Sequence, residues 1–419
     1  MKPQRPKERV LMVGVAPKGL PRAVAEDHLD ELERLIDTAG GQVVRRFLKE
    51  RVAPDPATFI GKGSVQEIGG VAREERSSLV VFDDELSPRQ ARNLEDAWGD
   101  GIRVIDRPGL ILDVFALHAR SREARTQVEL AQLQYLLPRL AGRYEHLSRL
   151  GGGIGGRGAG EQKLELDRRK IRDRIARLRR DLQKIEVARL VRRRGRHRLA
   201  QVAVAGYTNA GKTTLFNRLT EESAFAADRL FATLDARAAR AASPALSEVI
   251  FVDTVGFVRK LPTSLVASFR STLAEIRDAD LVLHVIDASS PRADEEEKIA
   301  TETFTELGVP EDRILSVWTK ADLAGNGGRP TSLRVSGKTG VGMPALIAAI
   351  RRRLKPETEE FRVRIPYTSS RAIAAARAAF RVLDEQDRGD GLWMRLAGER
   401  KHLQPLMRFM DAPGKREPS

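Results

Sequence analysis

The sequence predicts an α/β protein of several domains, and three features of the chain carry that prediction. Strand-like and helix-like segments alternate over residues 8–117 and again over residues 199–356. Between these regions, two segments place leucine and isoleucine at spacings of three and four, which is typical of helices that pack along a narrow seam. A glycine-containing loop follows an apolar strand at Gly206 and precedes a helix. A length of 419 residues allows for about three domains.

The region over residues 8–117 is predicted to form a small α/β domain. Its candidate strands are the apolar runs RVLMVGVA, GQVVRRFL, LVVFDD and IRVIDR. A candidate helix, AVAEDHLDELERLIDTAG, lies between the first two strands and has apolar residues at helical spacing. Gly40 and Gly41 stand where that helix would end. Strands that alternate with helices favour a largely parallel sheet.

Residues 118–198 are predicted to form an antiparallel helical hairpin with a glycine-rich tip. The apolar seams are Leu130, Leu133, Leu137 and Leu140 on the first segment, and Ile171, Ile175, Leu178, Leu182 and Ile185 on the second. Because each segment has one narrow apolar face, the two faces would bury each other. Seven of the eleven residues 151–161 are glycine, which favours a mobile loop at the tip.

Residues 199–356 return to α/β alternation. LAQVAVAG, EVIFVDT, LVLHVID and RILSVWT are short apolar runs bounded by loops, as in a sheet covered on both faces, and ALIAAIRRRL closes the region as a helix. After a charged linker, residues 361–411 predict a small α+β domain with strands FRVRIPY and GLWMRLAG and a helix SRAIAAARAAFRVL. We expect the tail APGKREPS to be disordered.

Composition limits the partners and the compartment. The chain has no cysteine, which excludes disulfides and thiolate metal sites. No stretch approaches the roughly 20 apolar residues of a membrane span, so we expect a cytoplasmic protein. The net charge is +15, and residues 168–198 hold 15 Lys and Arg against three acidic residues. So dense a positive segment favours RNA as a partner, and the alternative is a solvated charged helix face.

The stretch GYTNAGKTTLFNRL, from Gly206 to Leu219, has the spacing of a phosphate-binding loop. Gly206, four further residues, Gly211, Lys212 and Thr213 follow an apolar strand and open a helix, which is the context that such a loop requires. Its backbone N–H groups would point at phosphate oxygens, and the helix N-terminus adds positive potential. Lys212 would reach the β- and γ-phosphates, and Thr213 would bind Mg²⁺. The alternative is a glycine turn that happens to precede a helix.

Later segments indicate that the nucleotide is GTP. In VIFVDTVGF, Asp253 ends a strand near the expected Mg²⁺ position, and the N–H of Gly256 can contact the γ-phosphate. In SVWTKAD, the carboxylate of Asp322 can accept two N–H bonds from the guanine edge, and Lys320 can lie along the base. In RVSGKTG, backbone N–H groups can meet the guanine carbonyl, and Thr233 of FATLDAR can complete the Mg²⁺ shell.

The candidate site therefore draws on five segments of the chain. We predict Lys212, Thr233 and Gly256 as catalytic residues, and Thr213 and Thr233 as Mg²⁺ ligands. The predicted nucleotide-binding residues are Gly206, Tyr207, Thr208, Asn209, Ala210, Gly211, Lys212, Thr213, Phe231, Ala232, Thr233, Leu234, Asp235, Asp253, Thr254, Val255, Gly256, Thr319, Lys320, Ala321, Asp322, Ser336, Gly337 and Lys338.

Phe257 lies directly after Gly256, where many GTPases carry a glutamine that orients the attacking water. A phenyl ring cannot hydrogen-bond to that water. We therefore predict slow intrinsic hydrolysis that a partner accelerates. The other interpretation is that Phe257 packs in the core, and both can hold.

The order of these motifs is similar to that of the translation-factor-like P-loop GTPases, and the flanking segments resemble the HflX family of ribosome-associated GTPases. The resemblance spans about residues 8–350 and rests on FIGKGSVQEI, VVFDDELSPRQARNLE, VIDRPGLILDVFALHARSREARTQVELAQLQY, GGGIGGRGAGEQKLELDRRKIRDRI and FATLDAR…DTVGFVRKLP. It implies a Ras-like GTPase domain that follows an N-terminal HflX domain and a helical hairpin.

The same resemblance implies a function on the ribosome. It implies binding to the 50S subunit and its rRNA, hydrolysis of GTP to GDP stimulated by the ribosome, and splitting or rescue of stalled or hibernating ribosomes. It places the glycine-rich tip near the peptidyl-transferase centre, where Arg157 is our candidate phosphate contact. We expect a monomer.

Three positions depart from the family's pattern. Thr319 stands where the family has an asparagine that braces the phosphate loop, so we expect a weaker brace, with guanine recognition by Asp322 retained. Gly337 replaces an alanine, and we expect little effect. LDAR replaces LDPT, so we expect a looser segment after Asp235.

Two classes of function stay open at this point. One is an enzyme that uses hydrolysis to leave the ribosome after splitting it, and the other is a GTP-gated RNA-binding or ribosome-assembly factor in which hydrolysis only resets binding. Use of ATP at the N-terminal domain is a third hypothesis, but Lys62 in IGKGS lacks the full phosphate-loop spacing and favours a turn. The six histidines form no ligand pattern, and His284 favours core packing in a strand.

Overall fold

The computed structural model describes residues 7–99, 101–140, 159–194, 199–222, 231, 235–260, 270–323, 333–354, 358–389, 391–399 and 403–410. The chain divides into two compact units, residues 1–346 and 347–419. The predicted α/β class is confirmed, with three sheets and helices between their strands. Residues 151–158 of the predicted glycine-rich tip and the C-terminal tail lie outside the described residues, and residues 159–161, which were predicted as loop, begin a helix. No helix in the described ranges is both long and apolar enough to cross a membrane.

The first sheet has four parallel strands in the order β2-β1-β3-β4. The strands are β1 (Glu8–Pro17), β2 (Gly41–Arg51), β3 (Leu79–Phe82) and β4 (Arg103–Asp106), and the helices are α1 (Arg22–Thr38), α2 (Lys62–Glu74), α3 (Pro88–Trp98) and α4 (Arg107–His118). Alternate residues of β1 enter different clusters: Val10 and Met12 pack with α1, and Leu11 and Val13 pack with α2 and α3. Apolar residues on both faces explain why β1 reads as a continuous apolar run.

Two long helices follow the first sheet: α5 (Arg122–Arg139) and α6 (Ala159–Arg194). They pack along the predicted seam, where Leu130, Ile175 and Leu178 are buried. Leu133, Leu137, Ile171 and Leu182 pack against these three at its margins. The Arg174 guanidinium reaches both oxygens of Glu129 across the seam, at 2.7 and 2.8 Å.

The second sheet has five strands in the order β6-β7-β5-β8-β9. The strands are β5 (Ala200–Gly206), β6 (Arg237–Arg240), β7 (Val249–Asp253), β8 (Leu281–Asp287) and β9 (Ile314–Thr319), and the helices are α7 (Lys212–Thr220), α8 (Arg270–Arg277), α9 (Ala293–Glu306) and α10 (Met343–Leu354). All pairs are parallel except β6–β7. The sequence did not predict β6, because an edge strand of sequence RAAR is mostly exposed and lacks an apolar run.

The second unit contains an antiparallel sheet in the order β10-β12-β11. Its elements are β10 (Thr358–Ile365), α11 (Ser370–Ala379), β11 (Arg381–Asp387), β12 (Leu392–Glu399) and a 3₁₀ helix (Gln404–Phe409). The predicted helix SRAIAAARAAFRVL is wrong at its end, since α11 stops at Ala379 and Phe380 is already extended. Phe380 and Val382 pack into the core from the strand side, and an apolar residue at these positions suits either element.

Candidate functional site

The predicted motifs meet at one edge of the second sheet. The strands β5, β7 and β9 end at Gly206, Asp253 and Thr319, and each is followed by a segment of the candidate site. Because these strands are parallel, their carboxyl ends lie at the same edge. From β5 the sheet extends to β7 on one side and to β8 on the other, and ligands bind at such a switch point in open α/β sheets.

The loop after β5 has the backbone geometry that its glycines permit. Gly206 has a φ of +152°, and a Cβ atom there would lie 2.2 Å from the Val285 carbonyl oxygen of the adjacent strand. Asn209 also has a positive φ of +61°, and Gly211 has +87° immediately before α7. The loop therefore curls tightly at the N-terminus of α7, where N–H groups lack partners within the helix.

Lys212 begins α7, and its side chain is buried at the centre of the site. Its ammonium donates a hydrogen bond to the Tyr207 carbonyl oxygen at 2.6 Å. Burial lowers the pKa of Lys212 to about 8, although the carboxylate of Asp253 acts in the opposite direction. A Cβ atom on Gly256 would lie 2.8 Å from the Lys212 Nζ atom, so the absence of a side chain at Gly256 keeps this position accessible.

Two threonines and one carboxylate line the same pocket. The Thr213 hydroxyl donates to Asp253 Oδ2 at 2.9 Å, which brings together two of the residues predicted near Mg²⁺. The Thr208 hydroxyl is buried and has no hydrogen-bond partner within the described part of the chain. A buried, unsatisfied hydroxyl is unfavourable by itself and suits a site that takes an external oxygen. Ala232, Thr233 and Leu234 lie outside the described residues.

The residues predicted to bind guanine lie at the end of β9. A hydrogen bond from the Ser336 hydroxyl lowers the pKa of Asp322, and the neighbouring Lys338 and Lys320 act in the same direction. Asp322 is therefore held as an exposed carboxylate that can accept N–H groups. Lys320 has a positive φ of +54° and pairs with Asp287 at 2.7 Å.

Thr319 contacts the phosphate loop directly. Its buried hydroxyl lies 2.5 Å from the Ala210 carbonyl oxygen and 3.0 Å from that of Ile286. One hydroxyl proton is shared between two acceptors, whereas an asparagine side chain has two N–H groups. The expected contact between residue 319 and the phosphate loop is thus present, and Thr319 supplies one donor hydrogen for it.

Gly337 lies against α7, where a Cβ atom would be 3.1 Å from the Thr214 backbone. An alanine at this position would need a shift of a few tenths of an ångström, so the glycine allows a closer approach than we expected. Its neighbours Ser336 and Lys338 are fully buried and exposed, respectively.

Phe257 is buried in the core, as its alternative interpretation predicted. Its ring packs edge-on against Phe304 of α9, with the centroids 5.4 Å apart. Its backbone N–H donates to the Gly206 carbonyl at 3.0 Å, and its carbonyl accepts from the Thr208 N–H at 2.7 Å. The backbone thus fixes Gly256 beside the phosphate loop while the side chain contacts apolar residues.

Phe231 and Asp235, the described residues on either side of positions 232–234, each contact the first part of the chain. Phe231 packs edge-on against Phe115 of α4, at 4.7 Å between centroids. The Asp235 carboxylate accepts hydrogen bonds from the N–H groups of Arg120 and Ser121 at 2.8 and 2.9 Å. The expectation of a looser segment after Asp235 is wrong for residues 237–240, because they form β6 on β7.

Sequence reasoning missed a buried charge network that joins the phosphate loop to the first sheet. Arg107, at the start of α4, pairs with Glu31 of α1 and with Asp83 after β3, and all three side chains are almost fully buried. The Tyr207 hydroxyl donates to the other oxygen of Glu31, so a phosphate-loop side chain contacts the network directly. Burial and the adjacent Glu31 carboxylate raise the pKa of Tyr207.

The same network holds the residues that follow Phe257. The Arg259 N–H donates to the Tyr207 hydroxyl at 3.0 Å, and its carbonyl accepts from the Arg107 side chain at 3.2 Å. The Lys260 ammonium lies 2.6 Å from Asp83 and 2.5 Å from Asp84. The signal in the sequence was the position of Asp83 and Arg107 beside apolar runs. The sequence does not indicate which charged residues pair with them.

The helix α6 exposes most of its basic side chains. Among the side chains described for this helix, exposed arginines are Arg169, Arg172, Arg174, Arg177, Arg179 and Arg180. Arg174 pairs with Glu129, and Arg172 lies 3.5 Å from Glu165. The positive charge is therefore presented to solvent, which both of its interpretations require. Arg157 lies outside the described residues.

Two further sequence features have structural explanations. Lys62 begins α2, and the preceding Gly61 has a φ of +77° with the Arg51 guanidinium against it. This glycine accommodates an arginine of β2, and because Lys62 to Ser64 are already helical, the predicted turn is wrong here. His284 is buried beside Phe304, and burial lowers its pKa to about 4, so core packing is confirmed.

Three family models match consecutive parts of the chain. They describe the N-terminal region of GTP-binding GTPases over residues 26–116, the middle region of GTP-binding GTPases over residues 118–196, and a 50S ribosome-binding GTPase over residues 201–320.

Curated relatives extend the similarity over most of the chain. GTPase HflX of Caldanaerobacter subterraneus subsp. tengcongensis is 43% identical over 385 residues, covering 91% of this chain and 89% of the relative. GTPase HflX of Escherichia coli strain K12 is 42% identical over 351 residues, covering 81% and 82%.

Solved structures give a more distant likeness. A GTP-binding protein from the hyperthermophilic archaeon Sulfolobus solfataricus in complex with GDP has 24% identity and a TM-score of 0.43, covering 82% of this chain and 98% of that one. The crystal structure of an SsGBP and GDP complex has 24% identity and a TM-score of 0.47, covering 83% and 98%.

Proposed function

The chain belongs to the HflX family of GTPases, and we propose that it hydrolyses GTP on the 50S ribosomal subunit and couples the GTP cycle to splitting or rescue of stalled or hibernating ribosomes. The observation that supports this most strongly is the juxtaposition at the edge of the second sheet. There a phosphate loop with a buried lysine and a carboxylate suited to guanine lie within a region that matches a 50S ribosome-binding GTPase. We further propose that it acts in the cytoplasm as a monomer.

The nucleotide would occupy this edge of the sheet. N–H groups of the loop from Gly206 to Thr213 would bind the phosphates, with Lys212 at the β- and γ-phosphates and Gly256 beside the latter. Asp322 would accept the guanine N–H groups. The remaining proposed contacts are Phe231 to Asp235, Asp253 to Val255, Thr319 to Ala321, and Ser336 to Lys338.

The donor set fits Mg²⁺, which prefers oxygen ligands. Thr213 is the ligand whose position is described, Thr233 is the second, and Asp253 accepts from Thr213 at 2.9 Å. Mg²⁺, when bound, neutralises charge on the β- and γ-phosphates. Because the Thr213 hydroxyl donates its proton to Asp253, its oxygen would be the atom that binds the cation.

Hydrolysis by the protein alone should be slow. The residue after Gly256 is Phe257, and its ring is buried against Phe304 rather than directed at the phosphates. No side chain at this position can orient water, so the site depends on a partner to supply or rearrange that group. We propose that the ribosome is this partner.

The ribosomal contact would be electrostatic at the helical region. Exposed arginines of α6 can neutralise rRNA phosphates and make binding sensitive to salt. We propose that the chain has four domains, at residues 8–117, 118–198, 199–356 and 361–411. In this proposal the hairpin tip, with Arg157, enters the 50S subunit.

A subunit-dissociation assay separates this function from the GTP-gated binding factor. Purified 70S ribosomes are mixed with the protein and GTP, a non-hydrolysable GTP analogue, or GDP, and are then analysed by light scattering and sucrose gradients. Splitting with GTP and with the analogue, with release of the protein from 50S only in GTP, is the expected result. Nucleotide-dependent 50S binding with intact 70S ribosomes in every condition would contradict splitting and favour the binding factor.

A further inference from the structure

The sheet of the second unit buries one face and exposes the other. Its inner face is apolar and packs against α11 and the 3₁₀ helix; the residues are Phe361, Val363, Ile365, Leu392, Met394 and Leu396. The alternate residues point outward, because successive side chains of a strand lie on opposite faces. The exposed residues of this outer face include Arg362, Arg364 and Arg395, with the half-buried Trp393 among them.

Strand register brings these outward residues together. Arg362 lies directly opposite Arg395 in the strand register, and Arg395 lies opposite Asp384 on the other neighbouring strand. Arg364 pairs with Trp393 in the next register position. With Arg381 on β11 and Arg388 after it, the outer face has five arginines, against the carboxylates of Glu360 and Asp384 among the side chains that the structure describes.

Three of these arginines have no counter-charge within the described part of the chain. Among the residues that the structure describes, no carboxylate lies within ion-pairing distance of Arg362, Arg381 or Arg395. Like charges that face each other across a strand pair are unfavourable, and Arg362 and Arg395 are directly opposite. An external polyanion would remove this repulsion.

Trp393 adds a planar surface to the same face. The guanidinium of Arg388 lies 4.7 Å from the indole centroid, and that of Arg364 lies 5.5 Å from it. Aromatic rings and guanidinium planes are the two surfaces on which proteins stack unpaired nucleobases. Exposed arginines around a stacking layer distinguish this face from a surface that is merely positive.

We propose that the outer face of the sheet β10–β12–β11 is a binding site for RNA with unpaired bases, with Arg362 and Arg395 on the phosphates and Trp393 with its two arginines under a base. This site shares no residue with the proposed GTP pocket or with the basic helix α6. It can therefore be present or absent whatever the outcome of the proposed GTPase cycle.

The first test measures RNA affinity of the full chain. Binding of a fluorescein-labelled uridine 12-mer is followed by anisotropy between 50 and 300 mM KCl for the wild type, Arg362→Ser with Arg395→Ser, and Trp393→Ala. The control is Arg89→Ser with Arg313→Ser, which removes the same charge from two exposed positions outside this face. Thermal melts verify that every variant is folded.

The site predicts losses that the control does not show. Removing two phosphate contacts should weaken binding at least fivefold and lower the salt slope by about 1.4, and removing the stacking ring should weaken binding about fivefold or more. The control should change affinity less than twofold. Equal losses in the test and control pairs would overturn the proposal. If the substitutions weaken binding of labelled polyglutamate as much as they weaken binding of RNA, the face is a binding site for an acidic protein instead.

A second test localises the RNA independently of its affinity for α6. Because the chain has no cysteine, one introduced cysteine can carry a benzophenone label. Ala397→Cys places it on the outer face and Ala378→Cys on the exposed side of α11. Crosslinking from position 397 but not from 378, and its loss with Arg362→Ser and Arg395→Ser, is expected. Equal yields from both positions would refute the site.

Discussion

Lys212 shows how a single residue prepares the site for phosphate. Its ammonium is buried with a carbonyl partner and the charge of Asp253 nearby, and burial is the larger influence, so its pKa falls to about 8. Phosphate groups would supply the negative charge that the pocket lacks and would raise this pKa again. The lysine is thus less stable as a cation before the nucleotide binds than after it.

This shift predicts a pH dependence for GTP affinity. The nucleotide-bound protein would hold the Lys212 proton more tightly than the nucleotide-free protein. Nucleotide binding therefore takes up a proton above pH 8, and the affinity for GTP falls as the pH rises. We expect affinity to be constant near pH 7 and about tenfold lower at pH 9. Titrations with a fluorescent GTP analogue measure it, and guanosine, which has no phosphates, is the control. An unchanged GTP affinity from pH 7 to 9 would contradict this account.

Thr319 illustrates a substitution whose consequence can be measured at one hydrogen bond. Thr319→Val keeps the shape of the side chain and removes the donor to the Ala210 carbonyl. A buried acceptor left without its donor costs about 1–2 kcal/mol, so GDP affinity should fall about tenfold. Calorimetry measures the affinity, and Thr303→Val, whose hydroxyl bonds within α9, should stay within twofold. Equal effects of both variants would argue against a brace.

At the scale of elements, the first sheet is joined to the phosphate loop by buried ions. Arg107 of α4, Glu31 of α1 and Asp83 after β3 meet Tyr207 and the backbone of Arg259. Lys260, just beyond Gly256, is paired with the same Asp83. Residues beside the proposed γ-phosphate position are therefore linked by hydrogen bonds and ion pairs to the domain of the first sheet.

The buried network predicts a large stability difference between two arginines. Arg107→Met removes the buried cation from Glu31 and leaves Asp83 with Lys260 alone, and it should lower the free energy of unfolding by about 3–5 kcal/mol. Arg22→Met removes the exposed pair with Glu26 and should cost less than about 1 kcal/mol. Urea denaturation compares the two variants. Similar midpoints for both would mean that the network contributes little.

The elements also show what a sequence can and cannot predict. The strands β1, β5, β7 and β8 were predictable because strands buried on both faces read as apolar runs, and the phosphate loop because its spacing is local. The edge strand β6 and the strand β11 lack such runs and were missed. The pair Glu31–Arg107 joins residues 76 positions apart, and no local pattern encodes a contact of that separation.

At the scale of the whole molecule, the chain combines one nucleotide pocket with two positively charged surfaces. The chain is a GTPase of the HflX family, and we propose this pocket as its GTP site. The exposed arginines of α6 and those of the β10–β12–β11 face each offer a surface for RNA phosphates. A net charge of +15 supports attraction to ribosomal RNA at long range and makes every such contact salt-dependent.

We propose that the ribosome activates a GTPase that is slow by itself. The decisive measurement is GTP turnover by the purified protein, alone and with 50S subunits, at low and at moderate salt. We expect slow turnover by the protein alone and at least tenfold stimulation by 50S subunits, which fades as the salt concentration is raised. Fast turnover alone without stimulation would contradict it, because the buried Phe257 would then not limit hydrolysis.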